Sequence, residues 1–117
     1  MVNDELIKQA EVLIDNIYQN QVEILNKNGI VTEKKGIMET IEKGEMNLIS
    51  NEKEGNGKAK FGNSDSREAE LRMRLLQNED YKKVKIETDK IIYEKEIMFF
   101  ELERRKNKLE LLKVIMR

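Results

Sequence analysis

A chain of 117 residues is the size of one domain, and 38% hydrophobic against 38% charged residues describes a heavily solvated helical protein. Histidine, cysteine and proline are absent, which excludes disulfides, thiolate or imidazole metal sites and obligatory helix kinks. The formal net charge of −1 conceals an asymmetry, with 8 basic and 12 acidic residues up to Ser66 and 14 basic and 11 acidic from Arg67 onward.

Taken in chain order, Asn3 is placed to cap a helix whose first turn holds Asp4 and Glu5, where the helix dipole favours acids. Leu6, Ala10, Leu13, Ile17 and Ile24 recur at helical spacing, flanked by Ile7, Ile14 and Leu25, and predict a first helix over about 4–27. Asn28-Gly29 is the expected stop, because glycine enters the left-handed conformation cheaply. Thr32 is then expected to cap a second helix over about 33–50, built on Ile37, Met38, Ile41, Leu48 and Ile49. Gly36 and Gly44 fall inside it, each costing about 1 kcal/mol against alanine. Residues 51–65 are rich in Asn, Glu, Lys, Gly and Ser, with Phe61 the one large apolar side chain; such a stretch reads as a flexible linker.

Asp65 and Glu68 have the spacing of a capping box, and Leu71, Leu75 and Leu76 give the helix that follows an apolar face. Asn78 is positioned to cap a fresh helix with Glu79 and Asp80 behind it. From Tyr81 to Met116 a heptad can be written, with Tyr81, Thr88, Lys95, Leu102, Leu109 and Met116 on one row of a seam. Val84, Ile91, Met98, Arg105 and Leu112 form the other row, and Ile92 and Phe99 widen the stripe. The expectation is an all-α fold of three to four helices, in which a long C-terminal helix forms a helical hairpin or bundle, with helix 1 antiparallel along it. The chain reads as a single all-helical domain over 1–117, divided into N-terminal helices (1–50), the linker (51–65) and the long helical segment (66–117).

Two features of the last helix point to binding. Ile86, Tyr93, Phe100 and Val114 repeat every seven residues, with Asn107 in the gap, on the side away from the seam. A helix apolar on two opposite sides needs cover on both, so this stripe is the expected interface with a second copy or a target protein. Homo-oligomerisation follows, with a dimer the first expectation. The seam charges Lys95 and Arg105 must each meet an acid or snorkel to the edge; in the first case they would fix register and partner.

Other motifs carry less. Gly57-Lys58-Ala59-Lys60-Phe61-Gly62-Asn63-Ser64 approaches a phosphate-binding loop, but Asn63 stands where the lysine belongs and no apolar strand precedes it. Arg104, Arg105, Lys106 and Lys108, together with Arg67, Arg72, Arg74, Lys82, Lys83 and Lys85, offer a route to nucleic acid, with Arg104, Lys106 and Lys108 the contact candidates. Against it, Glu68 and Arg72, Glu70 and Arg74, Glu79 and Lys83, and Glu101 and Arg105 stand four apart, acid first, as on a solvated helix surface laced with pairs. Three serines without a histidine, and acids too numerous for any pairing to be informative, leave no catalytic, metal or cofactor residues to name. The acidic start and the lack of a long apolar run favour the cytoplasm and no membrane association.

The second half resembles small phage and prophage proteins in which a polar linker leads to a short helix, an acidic break, a tyrosine and a long Glu/Leu/Lys/Arg-rich helix. The matching residues are Ser66, Arg67, Glu68, Ala69, Leu71, Leu75, Asn78, Asp80 and Tyr81, with Leu102, Arg105, Leu109 and Leu112 in the tail. The resemblance covers about residues 64–117, and this chain is poorer in alanine in its final helix. It implies a non-enzymatic accessory protein in a bacterial or phage-infected cell, with inhibitors of host-defence nucleases, anti-CRISPR proteins among them, as one kind. A helper of single-strand DNA replication or recombination and a structural coiled-coil spacer are the competing readings.

Overall fold

A computed structural model describes residues 3–117, with side chains from Asp4 onward. It is 88% helical and has three helices: α1 (Asn3–Asn51), α2 (Ser64–Gln77) and α3 (Glu79–Met116). The capping side chain read for Asn3 lies outside the described residues.

The described residues divide into two compact units, one formed by residues 3–30 and 91–117, the other by 31–90. In the first, Ala10 and Leu13 of α1 pack with Leu112 of α3, and Leu6, Leu109 and Met116 close around them. Pairing low numbers with high ones makes the two helices antiparallel in this unit. Further along the same face, the Arg105 guanidinium donates to the Asn20 side-chain carbonyl, and Lys27 Nζ lies 3.0 Å from Glu94 Oε2. Asn20 is buried, so this hydrogen bond meets a need that water cannot.

In the second unit the same two helices meet through polar side chains. Lys34 Nζ approaches Glu87 Oε2 to 2.8 Å, the Tyr81 hydroxyl donates to Glu42 at 3.0 Å, and the Asn78 amide donates to Glu45 at 3.3 Å. Buried Thr88 returns its hydroxyl proton to the Val84 carbonyl at 2.7 Å, a common way for threonine to satisfy itself inside a helix. Val31, Ile49 and Leu75 are the buried apolar side chains here. Among the described residues, every buried side-chain nitrogen and oxygen has a partner.

Three local expectations are corrected. The stop at Asn28-Gly29 and the Thr32 cap do not occur, because α1 continues from Asn3 to Asn51. A three-four repeat of Ile17, Asn20, Ile24, Lys27, Val31, Lys34, Met38 and Ile41 crosses the glycine without a break, and each of these is buried or half-buried. The polar members hide that repeat from a search for apolar periodicity. The helix expected from residue 66 starts at Ser64, and its capping box is Asn63 with Ser66 rather than Asp65 with Glu68. The Ser66 amide donates to Asn63 Oδ1 at 2.8 Å. Asn78 does cap α3, accepting from the Tyr81 amide at 2.9 Å.

The connector between α1 and α2 carries a small hairpin. Lys53 and Ala59 form an antiparallel bridge, and the Glu54 and Lys60 amides donate to the Lys58 and Glu52 carbonyls at 2.8 and 3.0 Å. Gly57 closes the turn at φ +84, a conformation costly for any residue with a Cβ. The Lys60 and Arg74 cations lie over the Phe61 ring, 5.5 and 5.9 Å from its centroid, while Arg74 holds Glu52 at 2.8 Å and Glu70 at 3.0 Å. One arginine thus ties the end of α1 to α2.

Candidate interaction surface

The seam of α3 turns inward as the heptad requires: every position from Tyr81 and Val84 to Leu112 and Met116 is buried or half-buried. A side chain seven residues on returns to the same face of a helix, so the residues at the opposite position must point outward. They do. Within the first unit Tyr93, Phe100 and Val114 are 64%, 76% and 59% exposed. Ile86, at the same heptad position in the second unit, is also exposed.

The structure adds residues that the seven-residue reading missed. Ile97 and Leu111 are exposed as well, and each stands three or four residues from a member of the stripe. Tyr93, Ile97, Phe100, Arg104, Asn107, Leu111 and Val114 therefore form a second three-four repeat on the face of α3 turned away from α1. The signal was present in the sequence, in spacings of four and three rather than seven. A second exposed apolar face in this unit comprises Ile7, Ile14, Tyr18 and Leu25 of α1.

The two seam charges differ. Arg105 is fixed by the Asn20 amide rather than by an acid. Lys95 is half-buried, and among the described residues no ion pair joins it, in keeping with a stem laid along apolar surface and a solvated head. Of the four acid-first pairs, the ion pairs include Glu70 with Arg74, while Glu79 turns to Lys82 at 3.2 Å. Arg104, Lys106 and Lys108 are exposed; Lys106 lies 4.0 Å from Glu103, and Glu101 and Glu110 flank the group, so the surface is of mixed sign. The glycine-rich motif supplies the hairpin turn and, through Asn63, the cap of α2.

The ionisable groups displaced from their ordinary behaviour include three in the second unit. Burial, reinforced by the hydrogen bond to Glu42, pushes the Tyr81 hydroxyl above its usual value. The hydrogen bond from Lys34 holds Glu87 below the usual carboxylate range, and hydrogen bonds to Glu52 and Glu70 hold the Arg74 proton more tightly. Each of these groups is engaged in a pairing between structural elements. Among the described residues no three metal-ligating side chains gather, and no helix is long and apolar enough to cross a membrane.

Fold and surface together define an all-α protein of antiparallel helix pairing with an apolar outer face on its last helix. No family model matches the chain, and neither curated proteins nor solved structures provide a match.

Proposed function

We propose that this chain is a non-enzymatic protein-binding module of the cytoplasm that acts by occupying a surface through the outer face of α3. The observation that carries the reading is a pair of exposed apolar groups on one helix face, Tyr93, Ile97 and Phe100 on one side of Arg104 and Asn107 and Leu111 and Val114 on the other. Soluble monomers seldom keep large apolar patches exposed without a use, and covering each such side chain is worth roughly 1.5–3 kcal/mol. The resemblance of residues 64–117 to phage accessory proteins supports a module of that class, in which inhibitors of host-defence nucleases, anti-CRISPR proteins among them, are one kind.

The test replaces Tyr93 and Phe100 together by glutamine. Both side chains are largely exposed, so helix content should stay unchanged while self-association or target binding weakens at least about tenfold, the size of one lost apolar contact. A folded variant with both properties unaltered would remove the basis of the proposal. Binding of single-stranded DNA that weakens steeply with salt, and is lost on changing Arg104 and Lys108, would favour the nucleic-acid alternative instead.

A further inference from the structure

We infer that the outer face of α3 is occupied by a second copy of the same helix, running antiparallel, with Arg104 and Asn107 setting the register. This rests on the reading of that face as an interface and names its occupant.

The argument begins with where the polar residues fall. The repeat runs Ile97, Phe100, Arg104, Asn107, Leu111, Val114, so its two polar members are adjacent and central, with apolar members on either side. In antiparallel helix packing, a residue of one row faces a residue of the other row in the partner. One register places Ile97 against the second copy's Val114, Phe100 against its Leu111 and Arg104 against its Asn107. Two-fold symmetry then repeats each layer in reverse, as a self-complementary interface requires. Apolar meets apolar, and each guanidinium meets an amide carbonyl. The molecule already makes that polar layer once, where Arg105 donates to Asn20 between antiparallel α3 and α1.

The alternatives fit worse. Sliding by one heptad sets Ile97 against Asn107 and Phe100 against Arg104, and brings Glu101 next to its own copy. A parallel pair stacks Arg104 on Arg104 and sets Glu96 beside the second copy's Glu101, with only Glu103 and Lys108 of opposite sign along the flanks. In the chosen register Glu101 lies beside the second copy's Lys108, twice per dimer. Both are exposed, and among the described residues neither makes an ion pair. The remaining flank brings Glu103 near Glu110, but each already has a lysine neighbour, Lys106 at 4.0 Å and Lys113 at 3.0 Å. Tyr93 falls one layer beyond the paired segment.

Sedimentation of the full chain tests this directly, and the lack of native cysteine removes disulfide-linked species from the readout. The wild type should be a dimer. Phe100→Glu should keep its helix content and weaken association about a hundredfold, because two rings per dimer lose their cover. Tyr93→Lys alone should leave association unchanged. Glu101→Lys and Lys108→Glu should each weaken self-association about tenfold, as two exposed charge pairs change sign. Mixing the two variants should restore association, since their charges are then complementary. In a parallel dimer Glu101→Lys would instead tighten association, because the new cation would meet Glu96; that result overturns the proposal. So does a wild-type chain that stays monomeric. A monomer whose target binding is lost in the Tyr93 and Phe100 double variant would retain the interface and reject only its self-occupancy.

Discussion

The two units use the same pair of helices and hold them together by different chemistry. Where residues 3–30 meet 91–117, the contact is a cluster of Leu6, Ala10, Leu13, Leu109, Leu112 and Met116, followed along the face by one amide–guanidinium layer and the Lys27–Glu94 ion pair. Where α1 and α3 meet within residues 31–90, the ties are Lys34 to Glu87, Glu42 to Tyr81 and Glu45 to Asn78, with Arg74 clasping Glu52 and Glu70 beside them. Apolar burial is non-directional and insensitive to pH, whereas half-exposed polar pairs are weaker and titrate. The first unit should therefore supply the stability, and the second should supply the specificity of pairing.

The largest effect expected from this contrast is in the apolar cluster. Leu13→Ala or Leu112→Ala should each cost about 2–4 kcal/mol of stability, the range for emptying a buried leucine site. The midpoint of chemical denaturation would show it, and a loss well under 1 kcal/mol would mean that the cluster is not the stabilising core.

An intermediate effect of opposite sign is expected at Gly29. Beyond its chain neighbours and the helix's own backbone, a methyl group there meets nothing within 4 Å, and α1 continues through the position. Gly29→Ala should therefore stabilise the protein by about 1 kcal/mol, the helix preference for alanine over glycine. Were Asn28-Gly29 a helix stop, the glycine would be left-handed and the same change would destabilise. The sign alone decides between a continuous α1 and two separate helices.

The smallest effects are the pH responses of the second unit. Tyr81 is held neutral above its ordinary value of 10.0, so its contribution is complete below pH 10.0 and disappears as pH rises through the raised value. Glu87 is held ionised below its ordinary value of 4.5, so its contribution is present above pH 4.5 and is lost as pH falls through the lowered value. Denaturation midpoints measured against pH should decline at both ends, and Tyr81→Phe should flatten the alkaline limb alone. An alkaline limb unchanged in Tyr81→Phe would assign that response to other groups.

How much of this was legible in advance depended on whether the residues at a position spoke for themselves. The α3 seam and its outward stripe were readable because large apolar side chains recur there with few interruptions, and Asn78 announced its cap. The continuity of α1 was not readable. Asn20, Lys27 and Lys34 occupy seam positions, and a polar residue at a buried position can be recognised only once its partner is known. The true capping box was obscured in a similar way, because Asn63, Asp65 and Ser66 are all competent caps within a few residues of one another. Ile97 and Leu111 were missed because a seven-residue count samples only half of a three-four repeat.

The sequence by itself determined that the protein is helical, that it lacks thiol and imidazole chemistry, and which face of its last helix turns inward. Those properties depend on composition and on the 3.6-residue period, both of which are local. Tertiary structure alone decided that the first helix runs through a glycine, which amide receives Arg105, and which acids receive Lys27, Lys34 and Arg74. In each of these pairs a charge or a buried polar group is matched by a residue distant in sequence. Only the antiparallel approach of α1 and α3, or the folding of the hairpin against α2, brings the two together.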